Sequence, residues 1–175
     1  MTNRELTTID AGAPVVSLLF GATDDELIAG LEGGLHVYRD GKRTAAGVGD
    51  GGTILSIAKS PSGAVLATVS SDGAVRIWDA KTARLRASLV EFADDEYLAY
   101  TPGGAYAGTS EVADRVGWVF DEPLEGFGFE QFAAAYATPD LVRRRLAGHR
   151  AHRSRSSPTA ARRRRFASRR PRLDV

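Results

Sequence analysis

Residues Ala64–Ala80, AVLATVSSDGAVRIWDA, constrain the fold more than any other stretch of this chain. Two short runs rich in β-branched residues, Val65–Ser70 and Ala74–Trp78, flank Ser71-Asp72-Gly73. An Asp bonds neighbouring backbone amides, and a Gly takes positive φ without strain, so this triplet predicts a tight reversal. The stretch therefore predicts a β-hairpin whose second strand closes on Trp78-Asp79. A chain built on such hairpins folds as antiparallel sheet, and the question becomes how many more of them it holds.

The same order of signals recurs on both sides. Upstream, Thr7–Asp10 predicts a short lone strand, followed by the turn-like Ala11-Gly12-Ala13-Pro14. Strands are predicted at Val15–Phe20, Leu27–Leu31 and Leu35–Tyr38, with turns at Thr23–Glu26, Gly33-Gly34 and Asp40-Gly41. After the loop Gly49–Gly52 the order repeats, with strands at Ile54–Lys59, Val65–Ser70, Val75–Trp78 and Arg84–Val90. Ser17-Leu18 matches Ser56-Ile57 at an offset of 39, and Leu35–Tyr38 matches Val75–Trp78 at an offset of 40. A third, more divergent copy comprises Tyr97–Tyr100, Tyr106–Ser110 and Val116–Phe120. Its Thr101-Pro102-Gly103-Gly104 turn matches Ser60-Pro61-Ser62-Gly63 at an offset of 41, and Trp118 falls near the place of Trp78. The link Glu111–Arg115 in this copy has no Asp-Gly.

A repeat of about 40 residues with four strands and a Trp-Asp ending resembles the blade of a WD40 propeller. In that family a His, a Ser or Thr, an Asp and a Trp form a hydrogen-bonded tetrad. The resemblance implies structural positions for Thr68, Asp72 and Trp78, while Asp50 stands where the family has His. In the first copy Ala11 stands at the His position, and Gly33-Gly34 replaces Asp-Gly. The expected fold is all-β: a partial WD40-type β-propeller of about three antiparallel four-stranded blades, then short helices and a disordered Arg-rich tail. Three blades leave open faces where a closed ring has neighbours. The chain is thus expected to be the last part of a longer propeller or to self-associate.

The expected domains are 1–122 for the blades, 123–148 for a short helical segment and 149–175 for the tail. FEQFAAAYA predicts one helix. Thr138-Pro139-Asp140 opens a second with a Thr N-cap and Pro at its first position, and Gly148 ends it. This end resembles the segment that closes propellers in bacterial WD40 proteins, some of them fused to caspase-like peptidases. The Cys/His pair of such peptidases has no counterpart, because the chain contains no cysteine.

The formal net charge of +1 conceals a division. Residues 149–175 hold ten Arg and one acid, whereas residues 1–148 carry more acids than bases. The tail has too few large apolar residues for a core. Three readings stand for it: a solvated disordered segment, the product of a GC-rich gene out of frame, or a nucleic-acid or acidic-surface binder. The last would use Arg162, Arg163, Arg164, Arg165, Arg169 and Arg170 on phosphates.

Other chemistry is sparse. His36 lies on a strand, and His149 and His152 lie in the tail with no acid cluster, so no metal is expected. Gly49–Thr53 lacks the Lys of a phosphate-binding loop. Asp24-Asp25 and Asp94-Asp95 fall at turns and are expected to be solvated. No cofactor and no catalytic residue are expected. The apolar run Val15–Phe20 is too short for a membrane span, and a soluble cytoplasmic protein follows by default. The expected role is a non-enzymatic protein–protein interaction scaffold with unidentified protein partners. The alternatives are tail-borne nucleic-acid binding and a remnant of a multidomain signalling protein whose catalytic domain is absent.

Overall fold

The computed structural model describes residues 8–148, apart from 22, 24, 94, 122 and 123, together with 171–174. The chain divides into two compact units, Met1–Arg86 and Ala87–Val175.

The first unit is a meander of antiparallel strands. β1 (Ser17–Phe20) pairs with β2 (Glu26–Arg39) through Ser17↔Gly30 to Phe20↔Leu27. β2 is one run of strand residues that doubles back on itself. Fourteen extended residues would span about 43 Å, yet the Asp40 amide donates to the Asp25 carbonyl at 3.1 Å and the Arg39 guanidinium reaches Glu26 at 2.9 Å. The reversal falls at Gly33-Gly34, where Gly33 takes φ +70°, a conformation open to glycine at no steric cost. The Gly-Gly turn expected from the sequence is therefore present inside one strand assignment.

β3 (Lys42–Lys59) serves two layers. Residues 42–48 pair with the returning half of β2, which completes a four-stranded first blade. The strand then passes Gly51 and Gly52, both at positive φ, and residues 54–59 pair with β4 (Val65–Ser70). β4 pairs with β5 (Val75–Asp79) across Ser71-Asp72-Gly73, in the hairpin register Leu66↔Trp78 and Thr68↔Arg76.

The two layers bury a shared core. Ile28, Leu35 and Val37 from the first meet Ile54, Leu66 and Trp78 from the second, with Leu19, Ala45 and Ile57 packed around them. Gly47 is the close point: a Cβ there would lie 2.2 Å from the Ala83 carbonyl oxygen and 2.9 Å from the Trp78 ring.

The second unit holds β7 (Tyr97–Tyr100), which pairs with β8 (Tyr106–Gly108) and with β6 (Leu85–Glu91) over Ser88–Glu91. A 3-10 turn, Ser110–Asp114, then leads out of this sheet. β9 (Gly117–Asp121), expected as the next strand of the third copy, instead forms a separate three-stranded sheet with β10 (Leu124–Gly128) and β11 (Pro171–Asp174). Glu111–Arg115, which lacks Asp-Gly, lies in the 3-10 turn and at its end and makes no tight hairpin between β8 and β9.

Two helices follow, α1 (Glu130–Tyr136) and α2 (Pro139–Leu146). Val142 of α2 is buried against Ala99 and Ala105, with Leu141 and Leu146 beside it. Thr138 sits at the N-cap of α2, but its hydroxyl donates to the Tyr136 carbonyl instead of capping the helix. Gly148 takes φ +81° just past the helix end.

Four sequence expectations change. Thr8–Asp10 is not strand; Ile9 instead packs on Leu31 and its neighbours. The first strand begins at Ser17 and not Val15. The segment 123–148 starts with strand β10 before its helices. Pro171–Asp174 of the expected disordered tail is strand β11 on the edge of β9, where Pro171 stands at the first position that a strand tolerates.

Candidate interaction surface

The first blade has two faces, because side chains alternate across a sheet. Leu19, Ile28, Leu35 and Val37 take the inner face and enter the shared core. The outer face holds the other parity: Leu18 and Phe20 on β1, then Leu27, Ala29, Leu31 and Tyr38 on β2. At its centre Ala29, Leu31 and Tyr38 are buried beneath Ile9 and Ala11 of the N-terminal segment. Beyond that cover the face is open. Leu18 is 60% exposed, Phe20 75% and, on the fourth strand, Val48 82%. Val16, half exposed, continues the Leu18–Phe20 row. β1 is the terminal strand of its sheet.

The polar groups near this face are few. His36 Nδ1 lies 3.1 Å from the Tyr38 hydroxyl. Burial lowers the His36 pKa below its ordinary value, and the nearby Arg43 lowers it further. A shallow depression of about 360 Å³ between residues 8–12, Tyr38, Gly41 and Arg43 adjoins it. The Asp10 carboxylate there accepts the Gly12 amide at 2.8 Å and so shapes the covering segment.

The positions singled out from the sequence lie away from this face. The Trp78 indole N–H donates to Thr68 Oγ1 at 2.9 Å in the shared core. Asp72 accepts two bonds from Arg76, one at 3.1 Å through Oδ1, and the same oxygen accepts the Ala74 amide at 3.1 Å. Burial would raise the Asp72 pKa, but the Arg76 guanidinium and the backbone amides bonded to the carboxylate together outweigh it and hold the carboxyl below its usual range. Thr68 and Trp78 meet, while Asp72 belongs to a neighbouring pair with the buried Arg76. Asp50 has no described side chain. Arg162, Arg163, Arg164, Arg165, Arg169, Arg170, His149, His152, Asp24 and Asp94 lie outside the described residues.

Among the described residues, two further carboxylates are held in ion pairs, one buried and one partly exposed. Glu26 is held by Arg39 and Lys59, and Asp79 by Arg86. Thr82 also donates to Asp79 through its amide and its hydroxyl, at 3.0 and 2.8 Å. Among the described residues no three His, Asp or Glu side chains gather as a metal site. No helix among them is long and apolar enough to cross a membrane.

Sequence reasoning missed the outer face. The signal was present in the alternation of Val16, Leu18 and Phe20 against Ser17 and Leu19. Read as a continuous apolar run, Val15–Phe20 gives a strand but not the side that stays open.

No protein-family model matches the chain. No curated protein matches it either. Among solved structures, the crystal structure of the C-terminal WD40 domain of Sif2 is similar at 21% identity, over 53% of this chain and 33% of that one, with a TM-score of 0.39. The chain thus spans about a third of that structure's length.

Proposed function

We propose that this chain is a non-enzymatic protein-interaction module that binds through the outer face of its first blade. The carrying observation is the exposure of Leu18 and Phe20 on a sheet face whose centre is already closed by Ile9 and Ala11. A stacked sheet repeat buries its faces against neighbours. This face carries an apolar row, and exposed apolar patches mark contact sites. The described charged side chains Glu26, Lys59, Arg76 and Arg86 of the first unit are largely withdrawn from water, are bound in ion pairs and brace the sheet.

A photo-crosslinking residue in place of Phe20 tests this reading in the full-length chain. A discrete adduct is expected that disappears with Leu18→Lys and does not form from a crosslinker at Ser62, a turn position remote in sequence from β1. No adduct from position 20, or equal adducts from both positions, overturns it.

A further inference from the structure

The occupant of the open face can be argued from the way this chain treats the opposite one. We infer that the outer face of the first blade receives the same face of a second copy, the two stacked about a two-fold axis with the Val16–Leu18–Phe20 rows in contact. The inference rests on the interaction reading above and names its partner.

Three observations carry it. The first is continuity with an interface that the chain already makes. The inner face of this blade packs Leu19, Ile28 and Leu35 against Ile54, Leu66 and Trp78 of another sheet layer of the same chain. A blade closed on one side by a layer of its own kind presents, on the other, the same geometry of apolar side chains at alternate positions. Sheets stack at about 10 Å through such rows.

The second is charge. The ten residues Ala11–Phe20 (AGAPVVSLLF) contain no ionisable side chain. Two copies brought together by a two-fold place groups near the axis beside their own images, so a charge there would meet its like. This row has none to meet.

The third is the shape of the cover. The segment Thr8–Gly12 closes Ala29, Leu31 and Tyr38 but stops short of Leu18 and Phe20. Leu18 and Phe20 stay outside that cover, and a two-fold contact would bring the row of one copy onto the row of the other. Symmetric contacts of this kind are self-complementary and close at two copies.

The test uses the full-length chain and light scattering after size exclusion over a hundredfold range of concentration. The wild type is expected to approach twice its 18.7 kDa chain mass as concentration rises. Leu18→Lys/Phe20→Lys is expected to stay at the single-chain mass with an unchanged far-ultraviolet circular dichroism spectrum, since both side chains face water in the single copy. The chain has no cysteine, so Leu18→Cys introduces a unique thiol, and a short bis-maleimide is expected to link two copies through it. A Ser62→Cys control is expected to stay unlinked. A wild type that stays single at every concentration overturns the inference, and so does a dimer that survives the double lysine variant. If the wild type is single but the position-20 crosslinker gives a Leu18-dependent adduct with a different protein, the interaction reading stands and the self-pairing falls. If neither forms, both fall.

Discussion

The indole N–H of Trp78 donates to the hydroxyl of Thr68 at 2.9 Å, with both side chains out of contact with water. The bond joins β4 to β5 inside the shared core. Thr68→Val keeps the volume but leaves the indole N–H without an acceptor. A loss of about 1–3 kcal/mol is expected in urea denaturation followed by circular dichroism. Thr68→Ser retains the oxygen and is expected to recover most of that loss, because only a methyl group is missing. A loss in Thr68→Ser with none in Thr68→Val would show that the methyl group, and not the bond, carries the stability.

Gly47 gives a steeper prediction. A methyl group there runs into the Ala83 carbonyl, which is backbone and cannot swing aside. Gly47→Ala is expected to cost at least about 2 kcal/mol by overpacking. Gly33→Ala tests a different mechanism. A Cβ there meets nothing within 4 Å, but φ is +70°. Its expected cost is about 1 kcal/mol, from backbone strain alone. Thermal melts of the two variants should rank in that order.

Asp79 gives the pH dependence. Burial would raise its pKa, but the bonds from Arg86 and Thr82 prevail and hold it down at about 2, against an ordinary 3.8. A carboxyl with a depressed native pKa contributes stability that is full above the unfolded value. That stability is lost as pH falls from about 3.8 through about 2. Arg86→Met is expected to flatten the acid limb of a stability–pH curve over this window and to leave its slope near neutrality unchanged. The side chain is about one-third accessible, so the effect is small, of the order of 1 kcal/mol.

Glu26 braces the open end of the first blade. Its carboxylate is buried and takes Arg39 on one oxygen and Lys59 on the other. Glu26→Gln leaves the Lys59 ammonium, 15% accessible, without its anion. A loss of about 2–4 kcal/mol is expected. Adding Lys59→Met removes the stranded charge and is expected to recover part of that loss. Additive losses in denaturant titrations would show that the two groups act independently.

The sequence displayed the blades because their signals are local. Asp72-Gly73 and Asp40-Gly41 each reverse the chain within a few residues, and the alternation on either side fixes the strands. Gly33-Gly34 works in the same way although it replaces the Asp-Gly of the second copy. The fate of Val116–Phe120 was not legible, because its pairing is decided by β10 nearby and by β11 some fifty residues further on. Thr138 shows the limit of a motif. It occupies the capping position, yet its hydroxyl finds the Tyr136 carbonyl closer to hand. The open face was hidden for a further reason: exposure depends on what Ile9 and Ala11 cover, and no strand pattern encodes that.

β3 runs without interruption from Lys42 to Lys59 as the last strand of one layer and the first of the next. Its Ile54 side chain stands in the same core as Ile28 and Trp78. The boundary between the sequence repeats, near Gly49–Gly52, is thus the middle of a mechanical element. Neither repeat can melt without pulling a strand from the other. The two copies, separable on paper by an offset of 40, form a single cooperative unit in unfolding, and a chain nicked between them loses both halves together.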